Sequence, residues 1–139
     1  MNQMNFFYEN LLIIPFITFF LTVIGKGILI KIKTGKVEIS QSFGSGGMPS
    51  VHSSVVVSLA TAIALKHGIA SDYFALAITM TVIIIYDAIN VRYEAGLHAS
   101  AINTLLGKVK FKESLGHLPS EAFAGSMLGI FIATLMYYM

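Results

Sequence analysis

Long runs without charge constrain this chain more than any other feature. Residues 10–25 carry no ionisable group, and the apolar run around them extends from near Phe6 to Ile30, past Lys26. Val51 to Leu65 is uncharged apart from His52, Tyr73 to Tyr86 is bracketed by Asp72 and Asp87, and the 18 residues from Ala122 to Met139 hold no charge. A helix crosses the hydrocarbon core with roughly 20 apolar residues. These segments are apolar all round, whereas a soluble bundle would show polar faces at helical period. We expect an all-α membrane protein with about four transmembrane helices near residues 8–30, 50–67, 72–91 and 119–138, in one integral membrane domain spanning 1–139.

Composition agrees. Hydrophobic residues make up 55% of the 139 and charged residues 12%, with mean hydropathy +0.77. So small a soluble domain has a large surface to cover with polar groups, and these are missing. The formal charge of +2 is too small for a nucleic-acid partner, and with no cysteine there is neither a disulfide framework nor a thiolate metal site. The first segment does not read as a cleaved leader, because its positive charges follow the apolar run and no small-residue cleavage site stands out.

Lys26, Lys31, Lys33 and Lys36 follow the first segment, and Arg92, Lys108, Lys110 and Lys112 follow the third; only Lys66 lies on the other side. Cytoplasmic loops are rich in Lys and Arg, so both basic loops are expected in the cytoplasm and both termini outside. The aromatics Phe6, Phe7, Tyr8, Tyr137 and Tyr138 read as a belt at the opposite interface.

The basic loops also hold the polar motifs. The first reads Gly44-Ser45-Gly46-Gly47-Met48-Pro49-Ser50-Val51-His52-Ser53. Its glycines permit tight turns that expose N–H groups, Pro49 suits a first helical turn, and Ser50 or Ser53 can cap it. A helix that starts there turns its positive dipole end toward the loop, which favours an anion. The second motif is Gly116-His117-Leu118-Pro119-Ser120-Glu121. His117 and Glu121 are four apart and share a helical face. A carboxylate there can fix the imidazole tautomer and leave the other ring nitrogen free as nucleophile or base. Gly125 and Gly129 have the small-xxx-small spacing of helix packing.

Together these residues resemble the divergent branch of the type 2 phosphatidic acid phosphatase superfamily, whose lipid phosphatases are related to vanadium haloperoxidases. Gly-Gly-Met-Pro-Ser-Val-His-Ser at 46–53 resembles its second motif, Pro-Ser-Gly-His, and residues 116–129 resemble the end of its third, Ser-Arg-x5-His-x3-Asp. Asp87-Ala-Ile-Asn-Val-Arg92 also looks like the divergent branch. Lys26, with Lys33 seven residues on, takes the place of the first motif, but Thr34 stands where that motif has proline. Val51 replaces the superfamily's glycine and Glu121 its aspartate. The third motif is split, with Phe111 where its arginine would lie and Arg92 25 residues before His117. Residues 93–115 then form an insertion, in which Ala95, Ala99, Ile102 and Leu106 recur at helical spacing, as in a short amphipathic helix on the membrane surface between the third and fourth spans.

The resemblance implies a phosphatase acting on a lipid phosphate monoester or pyrophosphate. His117 would be the nucleophile and form a phosphohistidine, Glu121 would orient it, and His52 would protonate the leaving group and then activate water. Lys26 and Arg92 would bind the phosphate, with Gly47 and Ser50 as further donors and Asp87 as a support paired with Arg92 or Lys26. No metal or cofactor is required, because fixed cations supply the charge. The alternative is a non-catalytic protein of the same fold that binds or moves a phosphorylated lipid. A purely structural membrane protein is the third possibility. Catalysis requires His52, His117, Lys26 and Arg92 to converge on one pocket, and the structural reading predicts that they do not. Four short helices make a thin wall around such a site, so a homodimer is expected as well.

Overall fold

The structure, a computed structural model, describes residues 6–36 and 46–139. Gly44 and Ser45, at the head of the glycine loop, lie outside the described residues. Among those described, every regular element is helical: α1 (Phe6–Glu9), α2 (Ile13–Thr34), α3 (Val51–His67), α4 (Asp72–Tyr86), a π-turn (Asp87–Val91), α5 (Arg92–Leu106) and α6 (Pro119–Tyr138).

Among the described residues three helices are long and apolar enough to cross a membrane: α2, the continuous 35-residue helix from Asp72 to Leu106, and α6. The fourth apolar helix, α3, has 17 residues, about 26 Å at 1.5 Å per residue and at the lower limit for a span. The chain is an all-α membrane protein. The first span is shifted from its expected position. It begins at Ile13, after the separate turn of α1, and runs on past Lys31 and Lys33 to Gly35, whose left-handed backbone (φ 72°) ends the helix with its N–H on the Lys31 carbonyl. Long lysine stems let a helix continue into the interface while the ammonium stays in water.

Helix α3 is the centre of the bundle. It packs against α2, α4 and α6, while α2 and α4 flank it without packing closely on each other. Small residues make this possible. A Cβ on Gly125 would collide with the Ser50 carbonyl, and one on Gly129 with the Ser54 carbonyl, so the α6 backbone lies directly on α3. Hydroxyls supply the polar glue expected between membrane helices. Thr22 and Ser54 share a hydrogen bond of 2.9 Å between α2 and α3, and Thr81 of α4 donates to the Val56 carbonyl of α3 at 3.3 Å.

The two ends of the bundle differ. At one end Ile14, Ala62, Ile132, Ala133 and Met136 form an apolar core backed by Phe7 and Leu11. There Tyr8 and Tyr137 lie with ring centroids 5.5 Å apart, and Lys66 donates to the Tyr8 carbonyl, so the N-terminal turn and the end of α6 share that end. At the other end α2 finishes, α3 and α6 begin, and α4 passes into α5.

The helix expected in the insertion is present as α5, but it continues from α4 through the π-turn instead of standing apart. Its covered face is Gly96, Ala99 and Asn103; of the expected stripe only Ala99 is buried, and Ile102 and Leu106 are exposed. The reason is the chain's own return. Asn103 donates to the Phe111 carbonyl and to Glu113, both at 2.8 Å, and accepts the N–H groups of Lys110 and Phe111 at 2.9 Å. A Cβ on Gly96 would strike the Glu113 carbonyl. Residues 107–117 are thereby strapped back along α5 toward the bundle.

Candidate active site

That strap delivers His117. Its backbone N–H donates to the Ala88 carbonyl at 3.0 Å. Within the π-turn the Arg92 N–H bonds to the Asp87 carbonyl, one residue further back than the α-helical partner, which is Ala88. The carbonyl released in this way holds the histidine loop. The fit is close: a Cβ on Gly116 would overlap the backbone of Tyr93 and Arg92. Arg92 and His117, 25 positions apart in sequence, are therefore neighbours.

Beyond His117, Pro119 opens α6 and Glu121 occupies its third position. The Glu121 carboxylate accepts from His117 Nδ1 and from the Leu118 N–H, both at 3.1 Å. A carboxylate acceptor selects the Nδ1–H tautomer, leaving Nε2 with its lone pair. His117 is 2% exposed. Burial holds its pKa below the ordinary histidine value, and the Lys26 and Arg92 charges push the same way; the hydrogen bond and charge of Glu121 oppose them. At neutral pH the ring is uncharged.

His52 comes from the opposite side. It lies in the first turn of α3, whose N-cap is Ser50. Its ring centroid is 6.1 Å from that of His117, with an interplanar angle of 63°. Unlike His117 it is exposed. A cavity of about 240 Å³ opens beside both rings, and the rest of its lining is apolar, contributed by α2, α3 and α4.

Arg92 Nε donates to Asp87 Oδ2 at 2.5 Å, and both side chains are partly exposed. Asp87 is thus the partner of Arg92. Its engagement of Nε leaves the Nη groups clear of that ion pair. The charges of Arg92, Lys26 and Asp87 act on His52, which ties the ion pair to the two-histidine site.

Lys26 is the buried cation, 2% exposed, on the flank of α2. Its Nζ donates to the Gly46 carbonyl at 2.5 Å, and a Cβ on Gly47 would lie 3.4 Å from its Cε. The lysine sits beneath the Gly46–Gly47 turn, where both glycines have positive φ (87° and 79°). The turn also touches the histidine strap, since a Cβ on Gly46 would strike Ser114 Oγ. Lys33, the second lysine of the first motif, is exposed at the end of α2.

Ser50 requires a correction. It is fully buried. Its N–H donates to the Glu121 carbonyl at 3.1 Å and its hydroxyl accepts from the Ser53 N–H and the Ser53 hydroxyl. Ser50 caps α3 and joins it to α6; it is not presented to an incoming phosphate. Sequence reasoning also missed Lys112, a strap lysine whose charge acts on Lys26. Its alternation with Lys108 and Lys110 looks like ordinary basic loop, and nothing in that pattern singles it out. Among the described residues no group of three or more His, Asp or Glu side chains is arranged to hold a metal.

The arrangement can do general acid–base and nucleophilic chemistry on an anion, because an oriented neutral imidazole and a second imidazole line one end of an apolar cavity and the charges of Lys26 and Arg92 act on both rings. The family described as divergent PAP2 matches residues 7–132. A protein of Bacillus subtilis (strain 168), named uncharacterized membrane protein YuiD, is 36% identical over 123 residues, covering 74% of this chain and 78% of the relative. No solved structure matches.

Proposed function

Because the chain belongs to the divergent PAP2 family, we propose that it is a membrane-embedded phosphatase that hydrolyses a lipid phosphate monoester or pyrophosphate through a phosphohistidine. The observation that carries this reading is the pair of imidazoles with centroids 6.1 Å apart, one of them held by Glu121. In-line transfer needs one imidazole on the attacking side of phosphorus and a second within reach of the leaving oxygen.

In this reading His117 Nε2 attacks phosphorus and the bond from phosphorus to the lipid oxygen breaks. The departing alkoxide or phosphate takes a proton from His52. The phosphorylated imidazole gains positive charge, which the Glu121 carboxylate stabilises through Nδ1–H. Water then gives its proton to His52 and attacks phosphorus; the phosphorus–nitrogen bond breaks, and neutral His117 and inorganic phosphate are released. Arg92 offers its Nη groups to the phosphoryl oxygens, held in place by Asp87 at Nε. Lys26 adds charge from beneath the turn, and Gly47 an exposed N–H. The lysine bias supports a cytoplasmic position for this end of the bundle.

The test is phosphate release by purified protein from a panel of phosphatidate, phosphatidylglycerophosphate and polyprenyl pyrophosphate. Release that vanadate inhibits competitively, and that EDTA leaves unchanged, is expected. No release from any member, or activity lost to EDTA and restored by magnesium, contradicts the reading.

A further inference from the structure

The cavity beside the histidines has a shape that the phosphoryl chemistry alone does not require. Its floor is α3, through Val51, Val55 and Val56; one wall is α2, through Phe19 and Val23, and the other is α4, through Ile84. Since α2 and α4 flank α3 without packing closely on each other, the cavity is a groove between two helices. Its histidine end is polar and everything beyond is hydrocarbon. Val23 lies one turn and Phe19 two turns along α2 from Lys26. Seven residues at 1.5 Å make that groove about 10 Å deep below the phosphate level.

We propose that this groove holds one unbranched stretch of hydrocarbon of the phosphorylated substrate, about eight carbons measured from the phosphate, and that carbons beyond it lie in the bilayer. The occupant follows from continuity with the anion site: a ligand whose phosphate sits between His52 and His117 has its next atoms in the groove. The length follows from volume. A water's share of liquid is about 30 Å³ and a methylene needs a similar space, so about 240 Å³ takes about eight of them. One chain fills it and a second does not fit, so a single-chain phosphate is bound as well as a two-chain one. The inference rests on the phosphatase reading for where the phosphate lies.

The test is a series of monoalkyl phosphates from two to sixteen carbons, assayed for phosphate release in one detergent. We expect kcat/KM to rise by up to about fourfold per methylene, then level off near eight carbons. Phe19→Ala deepens the groove and moves the plateau to longer chains; Val56→Phe fills it and moves the plateau to shorter ones. Val82→Phe, on an exposed stretch of α4, leaves the profile where it was. Phosphate release with no dependence on chain length, or a plateau that neither variant moves, overturns the groove while leaving the phosphatase reading intact. Release from the lipid panel but from no member of the series overturns single-chain binding and leaves the phosphatase reading intact; if neither the series nor the panel releases phosphate, the phosphatase reading falls. The groove is then decided by labelling with decyl phosphate carrying a diazirine at carbon six. Adducts at Phe19, Val23 or Val56 support it, and adducts confined to exposed positions such as Val82 reject it.

Discussion

The two histidine segments, 46–53 and 116–121, look alike in sequence and are built differently. Each has glycine, a histidine, a proline and a helix start. In the second the histidine precedes the proline, so its backbone is outside the helix and is held by the Ala88 carbonyl, while its ring is buried and gripped by Glu121. In the first the histidine follows the proline and projects exposed from the first turn of α3, and among the described residues no carboxylate grips its ring; the cap belongs to Ser50. The contrast separates a group fixed for attack from one free to give and take a proton. A nucleophile needs a set orientation, and an acid that later acts as a base gains from access to water.

Exchanging the two roles is the severest way to break this comparison. His117→Ala removes the attacking atom and is expected to abolish phosphate release, with the protein still folded in detergent because the bond to Ala88 is made by the backbone. His52→Ala is expected to lower kcat by about 10²–10⁴-fold on lipid phosphates, and much less on p-nitrophenyl phosphate, whose leaving group needs little protonation. Steady-state kinetics of both variants on both substrates check this. Equal losses on the two substrates would mean that His52 is not the acid.

Arg92 comes next. Arg92→Ala is expected to cost about 2–5 kcal/mol of transition-state stabilisation, by analogy with truncating a close charge partner. Arg92→Lys is expected to be damaged too, because an ammonium cannot keep the Asp87 contact and offer a planar fork at once. An interfacial anchor would tolerate lysine, so wild-type kcat/KM in Arg92→Lys would remove the residue from the site.

The smallest expected effect is a shift on the pH axis. Burial lowers the pKa of His117 while Glu121 raises it. The unprotonated ring is the active form, so the acid limb of kcat/KM falls below about 6.5, the ordinary histidine value. Glu121→Gln removes the opposing charge and should move that limb to lower pH while reducing kcat through loss of orientation. A limb that moves up in Glu121→Gln would mean that another group sets it.

Much of this was legible in the sequence, and for identifiable reasons. Uncharged runs mark the spans, since the bilayer admits few charges. The spacing of His117 and Glu121 foretells their side-chain contact, although His117 sits just before the helix, and Gly125 and Gly129 mark where α6 meets α3. The protein-covered face of α5 was not legible because it is made by Asn103 and Gly96, a polar residue and a glycine, which a search for apolar periodicity passes over. No sequence signal marks the π-turn, yet its released carbonyl brings His117 to Arg92. Ser50 could be either a cap or a phosphate donor from the sequence, and only its hydrogen bonds to Ser53 and Glu121 decide it.

The central claim is that His117 carries the phosphoryl group. Rapid acid-free quenching of purified protein mixed with phosphorus-32-labelled lipid phosphate tests it most directly. The account predicts a transient protein-bound label, stable to alkali and lost in acid as phosphoramidates are, that maps to the peptide containing His117, is absent in His117→Ala and accumulates in His52→Ala with a good leaving group. Turnover with no protein-bound label, or a label on a carboxylate or serine, would contradict it.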